Sequence, residues 1–228
     1  MAEKGSVAWS SVGKKVITGL TGLALMGFII AHLIGNLTLF IGPHEFVAYG
    51  EFLESILFGK FVIAFEVVMF FIFLFHIVAA VTVAWTDKRK ARTEGYRYAK
   101  NAGGKSRKTL SSRSMIVTGI LIAIFVVGHI YLFKISPSKE NLYATVADAF
   151  TGLSFTIFTV VVMIMLGLHL RHGFWSAFQS LGWANDKYLP VLTRVALVFA
   201  LLMAVGFLVI PVFMHFTGDP SFTMPGGH

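Results

Sequence analysis

Five long apolar segments constrain the fold of this chain more than any other feature of its sequence. Each has at least the roughly 20 residues that a helix needs to cross a bilayer at about 1.5 Å per residue. They cover residues 16–41, 57–85, 114–134, 152–180 and 191–216. Of the 228 residues, 56% are hydrophobic and 13% are charged, which is unlike a soluble domain. The sequence therefore predicts an all-α integral membrane protein with five transmembrane helices, in a single domain over 1–228.

Basic residues are concentrated between the second and third apolar segments. The loop 86–113 carries ten lysines and arginines against two acidic residues, Asp87 and Glu94. Because lysine and arginine favour the cytoplasmic side of a membrane, we expect this loop and the N-terminus to be cytoplasmic, and the C-terminus to lie outside. The formal net charge of +8 is then a topology signal and does not indicate a nucleic-acid partner. The same loop could attract anionic headgroups of the lipid bilayer.

One histidine lies at a similar position in each of the first four segments. They are His32, His76, His129 and His169, and they follow Lys14, Lys60, Arg113 and Gly152 by 16 to 18 residues. A histidine in hydrocarbon is unfavourable unless it makes a hydrogen bond or binds a metal, so the repetition suggests cofactor ligands. The first and third helices run outward, which puts His32 and His129 at an outer level, about 24–27 Å from the inner boundary. The second and fourth run inward, which puts His76 and His169 at an inner level.

Two depth-matched pairs of histidines suggest two stacked b haems inside a bundle of four helices, with the fifth helix beside it. Two imidazoles from opposing helices would fill both axial positions of each iron, which suits electron transfer rather than oxygen chemistry. Zinc fits less well because it takes four clustered ligands. An ordinary hydrogen bond between helices is the alternative for any one of these histidines. The chain has no cysteine, which excludes covalently attached c-type haem and cysteine-ligated iron–sulfur clusters within it.

Three short motifs add a family resemblance. They are 11–15 (SVGKK), 32–37 (HLIGNL) and 169–179 (HLRHGFWSAFQ). Together with the order of the four histidines, they resemble the dihaem cytochrome b subunit of succinate dehydrogenase and fumarate reductase, in the branch with one five-helix anchor. The resemblance covers essentially the whole chain. It implies that His32, His76, His129 and His169 are the haem ligands.

The resemblance also implies partners and a location. An FAD flavoprotein subunit and an iron–sulfur subunit would lie on the cytoplasmic side of a bacterial inner membrane, and electrons would pass between them and a quinone, usually menaquinone. The chain has neither cysteine nor a dinucleotide-binding glycine motif, so the dicarboxylate chemistry is expected in those partners. A higher oligomer of the complex is left open.

Several other residues are candidates for roles near the cofactors. His172 follows His169 by one turn, and either it or Arg171 could bind a haem propionate, with a ligand role as the alternative for His172. Gly35, Gly128 and Gly167 stand near the histidines and could let a flat macrocycle approach the backbone.

Quinone chemistry needs a proton acceptor, and two glutamates precede the second segment at the expected outer face. Glu54 matches the position of an important glutamate in relatives of this branch, and Glu51 is the second candidate. Solvated carboxylates at a helix N-terminus are the alternative interpretation. Glu66, ten residues before His76, is an ionisable residue inside the membrane and a candidate for proton transfer or a buried hydrogen bond.

One difference from the family concerns the direction of the reaction. Some fumarate reductases carry a glutamate two residues before the fourth-helix ligand, where this chain has Gly167, and this favours succinate oxidation. Two other functions remain open: the cytochrome b anchor of a hydrogenase or formate dehydrogenase, and a proton-coupled transporter. A transporter would more often show internal repeats and broken helices.

Overall fold

The structure is a computed structural model that describes residues 10–87 and 109–224. All regular secondary structure in these two ranges is helical. We label the helices α1 (Ser11–Asn36), α2 (Pro43–Ser55), α3 (Lys60–Val81), α4 (Leu110–Ile130), α5 (Leu142–Thr151), α6 (Leu153–Ser180) and α7 (Leu189–Thr217). Most of the basic loop 86–113 lies outside the described residues. The expected cytoplasmic position of this loop stays a prediction.

Five helical segments are long and apolar enough to cross a membrane, which confirms the multi-pass, all-helical character predicted from the sequence. They are Ser11–Phe40, Pro43–Trp85, Leu110–Ile135, Leu153–Ser180 and Leu189–Thr217. Many of their apolar side chains are exposed, as helices facing lipid require. On α3, for example, Ile63 is 63% exposed and Phe70 is 60% exposed.

Polar residues at the helix starts explain where several helices begin. The Ser10 side chain accepts a hydrogen bond from the Gly13 backbone N–H at the start of α1. Thr109 and Ser112 form a reciprocal capping box at the start of α4. Asn141 caps α5 by accepting from the Ala144 N–H. Each cap satisfies a backbone donor that has no partner inside its helix.

Two short helices lie between the apolar segments that the sequence defines. Helix α2 begins at Pro43, between segments 16–41 and 57–85, and α5 lies between segments 114–134 and 152–180. Between α2 and α3 the backbone departs from right-handed helix at Leu57 and Phe58, both with positive φ (51° and 54°), and at Gly59 (78°). Left-handed backbone is unfavourable for side chains such as Leu and Phe, so this turn is a strained part of the fold.

The long helices pack in a definite order. Helix α1 packs against α3 and α6, α4 packs against α6, and α7 packs against α6 and α1. Small residues allow the close contacts. A Cβ at Gly167 would lie only 2.8 Å from Ala204 Cβ on α7, and one at Gly206 would lie 2.7 Å from a Leu33 methyl on α1. This order leaves α3 and α4 attached to the bundle through α1 and α6, respectively.

Candidate functional site

The four membrane histidines form two facing pairs between helices. The His32 and His129 rings, from α1 and α4, have their centroids 5.8 Å apart and are nearly perpendicular, at 88°. The His76 and His169 rings, from α3 and α6, are 6.4 Å apart at 66°. These are the pairs that the depth argument predicts. Among the described residues, no three of His, Cys, Asp or Glu come together as a group that could hold a metal ion.

Phenylalanine rings surround the His32–His129 pair. Phe28, one turn before His32, stacks on it at 5.3 Å, and Phe125, one turn before His129, lies 5.5 Å from that ring. Further rings approach from other positions: Phe133 is 5.0 Å from His129, and Phe207 of α7 is 6.0 Å from His32. The pair therefore lies in an apolar, aromatic environment.

The His76–His169 pair has polar contacts instead. The Thr21 Oγ1 of α1 lies 3.1 Å from His76 Nδ1. The Thr118 Oγ1 of α4 lies 3.2 Å from His169 Nδ1. Each histidine of this pair is thus contacted by a hydroxyl from the helix packed beside its own.

Glycines lie next to both threonines and bring the helix backbone close to the rings. A Cβ at Gly22 would lie 3.3 Å from His76 Cε1, and a Cβ at Gly119 would lie 3.3 Å from His169 Cε1. Either distance is tighter than ordinary van der Waals contact, so a side chain there would press on the imidazole. The glycines beside which the sequence predicts a close approach to the helix backbone are different ones: Gly35, Gly128 and Gly167.

Those other glycines have different surroundings. Gly35 faces Tyr49, where an added Cβ would lie 2.7 Å from the tyrosine ring, and Gly167 faces Ala204 of α7. Gly128 has open space on its free side. Gly35 and Gly167 therefore pack closely against other parts of the protein, and the role suggested for the three glycines beside a macrocycle stays a prediction.

A repeat in the sequence marks the same threonines and glycines, although it does not show which histidines they contact. Thr21-Gly22 precedes His32 by the same interval at which Thr118-Gly119 precedes His129, and each helix also has a phenylalanine four residues before its histidine. The interval of 11 residues spans about 16 Å along a helix. Each of these two helices therefore contributes a histidine to one pair and a threonine and glycine to the other.

Two further candidates lie on α6 beyond His169. His172 is half-buried, and its ring makes an edge contact with Trp175 at 4.8 Å. The alternative ligand role of His172 stays a prediction. Arg171 is also half-buried. Their suggested role beside a haem propionate stays a prediction.

The three glutamates have different surroundings. Glu51 and Glu54 are exposed residues near the end of α2. Glu66 of α3 forms an ion pair with Lys134, at 2.8 Å, in the turn that continues α4. Phe65 beside it lies 5.9 Å from Phe28, the residue that stacks on His32. Glu66 is thus at the level of the His32–His129 pair, whereas no described contact joins Glu51 or Glu54 to that pair.

In comparisons with family models, with curated proteins and with solved structures, no match to this chain was found.

Proposed function

We propose that this chain is the membrane-anchor cytochrome b subunit of a succinate:quinone oxidoreductase. The proposal rests on one observation, the two histidine pairs. In each pair, the two histidines come from different membrane helices and face each other. In the proposed orientation the N-terminus is cytoplasmic. We then call His32 and His129 the outer pair, and His76 and His169 the inner pair.

The spacing of the rings supports a bis-imidazole metal site in each pair. A metal–imidazole bond of about 2.0 Å on each side puts the two ligating nitrogens about 4 Å apart. Each ring centre lies roughly 1 Å behind its nitrogen, so collinear ligation corresponds to centroids about 6 Å apart. The observed 5.8 and 6.4 Å match this spacing.

The residues around each pair suit b haem. His32 with His129, and His76 with His169, would each hold one haem, and the two haems would supply one-electron transfer across the membrane. The phenylalanines at the outer pair exclude water from the metal and provide apolar contacts for a macrocycle. The threonines at the inner pair orient its imidazoles.

The rest of the reaction is assigned to partners and to a quinone. An iron–sulfur subunit and an FAD flavoprotein subunit would sit on the cytoplasmic side, nearest the inner pair. Oxidation of a quinol, with menaquinol as the proposed species, releases two protons with two electrons and needs a proton acceptor. We assign that role to Glu54, with Glu51 as second candidate, because both carboxylates are exposed on α2, which directly precedes α3.

Purification of the intact complex from native membranes tests the proposal. We expect the chain to co-purify with an FAD protein and an iron–sulfur protein, to contain two b haems by pyridine haemochrome assay, and to be reduced by succinate. One haem or none per chain would contradict the cytochrome assignment. Two haems with a hydrogenase or formate dehydrogenase catalytic subunit would contradict only the succinate assignment.

A further inference from the structure

We propose that Thr21 and Thr118 are positioning residues of the inner site, and that the outer site has no equivalent among the described residues. Each threonine holds the histidine of a neighbouring helix in the one tautomer that leaves its Nε2 free to bind a metal. The inference rests on the proposed haem function, because it concerns how two of the four ligands are oriented.

The direction of the hydrogen bonds follows from the threonine's second partner. The Thr21 Oγ1 lies 2.7 Å from the Ile17 carbonyl oxygen, which can only accept, so the hydroxyl proton points there. The lone pairs of Oγ1 are then the part of the hydroxyl that can face His76 Nδ1, which lies 3.1 Å away. The Nδ1 must therefore carry the proton and donate it, and the lone pair of a neutral ring is then on Nε2.

The same arrangement occurs at the other inner histidine. The Thr118 Oγ1 donates to the Ser114 carbonyl oxygen at 3.0 Å, and His169 Nδ1 lies 3.2 Å from it. Thr118 is fully buried, so water does not compete for this contact. Helices α1 and α4 thus provide the same contact to histidines on two different helices, α3 and α6.

The adjacent glycines add a second point of contact. His76 Cε1 lies against the bare backbone of Gly22, and His169 Cε1 lies against that of Gly119. A ring held at both Nδ1 and Cε1 has little freedom to rotate about its Cβ–Cγ bond. Nε2, the other nitrogen bonded to Cε1, is left for a ligand.

The outer pair is held differently. Within the described residues, the contacts of the His32 and His129 rings are with each other and with phenylalanines. A hydrogen bond from the second nitrogen of a ligating histidine makes it a stronger electron donor, which favours the oxidised metal. We therefore expect the threonines to lower the midpoint potential of the inner haem and to leave that of the outer haem unchanged.

Redox titration of valine variants tests the inference. In the complex carrying Thr21→Val and Thr118→Val, we expect the inner haem to shift to a more positive midpoint potential, or its site to lose about 10- to 100-fold in haem affinity. The outer haem should keep both its content and its potential. The inner signal is the one that disappears in His76→Ala.

Two controls separate positioning from a general effect of packing. Serine at both positions keeps the hydroxyl and should restore the original potential. Thr159→Val removes another buried hydroxyl, which donates to the Phe155 carbonyl and has no hydrogen bond to a histidine among the described residues, and should shift neither haem. Two haems with unchanged potential and spectrum in the valine variant would overturn the inference alone. A wild-type chain without haem would overturn both the inference and the proposed function.

Discussion

At the scale of single residues, two glutamates on neighbouring helices differ in what they can do. The Glu66 carboxylate is already engaged by the Lys134 ammonium in an ion pair. Glu54 is exposed at the end of α2 and has no ion pair among the described residues. Of the two, Glu54 is therefore better suited to accept a proton from a quinol.

The Glu54→Gln variant should separate quinone chemistry from assembly. Glutamine keeps the shape of the side chain but cannot accept a proton, so quinone-coupled turnover should fall by about 10²–10⁴-fold, the usual effect of losing a general base. Both haems and succinate oxidation by an artificial dye should be retained. Glu45→Gln, in the first turn of the same helix, is the matched control and should leave turnover unchanged. Normal quinone turnover in Glu54→Gln would remove Glu54 from the mechanism.

At the scale of helices, the Glu66–Lys134 ion pair links two elements that otherwise depend on different neighbours. Helix α3 packs mainly against α1, and α4 mainly against α6. The ion pair joins α3 to the turn that follows α4, at the level of the outer pair. In a membrane, each charge of the pair would be costly without the other.

Replacing one residue of this ion pair should destabilise the protein more than replacing both. Lys134→Met leaves the Glu66 carboxylate without its partner, and Glu66→Leu leaves the ammonium, so either change should lower the temperature at which the outer haem is lost. The double variant should recover part of the loss, with a coupling of about 0.5–3 kcal/mol. Absorbance of the outer haem during heating measures the effect. Strictly additive losses would show that the two side chains act independently.

At the scale of the whole molecule, the features set by length and hydropathy could be predicted from the sequence. Segment length and composition were sufficient for the five spanning helices. The rise of 1.5 Å per residue was sufficient to match His32 with His129 and His76 with His169, because depth along a helix does not depend on how the helix is rotated.

Contacts that depend on rotation and local packing could not be predicted in the same way. Thr21 reaches His76 because a particular face of α1 packs against α3. The sequence of neither helix alone specifies that face. Because α6 packs against α7, Gly167 of α6 faces Ala204 of α7. The helices α2 and α5 are only 13 and 10 residues long, too short to stand out as spanning segments in the sequence.

The most direct test of the central claim is to ask which histidines lose a haem together. Difference spectra of the single alanine variants should show that His32→Ala and His129→Ala lose one and the same haem, and that His76→Ala and His169→Ala lose the other. His44→Ala, at an exposed position on α2, is the matched control and should keep both. Loss of the same haem from His32→Ala and His76→Ala, with the other intact, would contradict the pairing and with it this account of the protein.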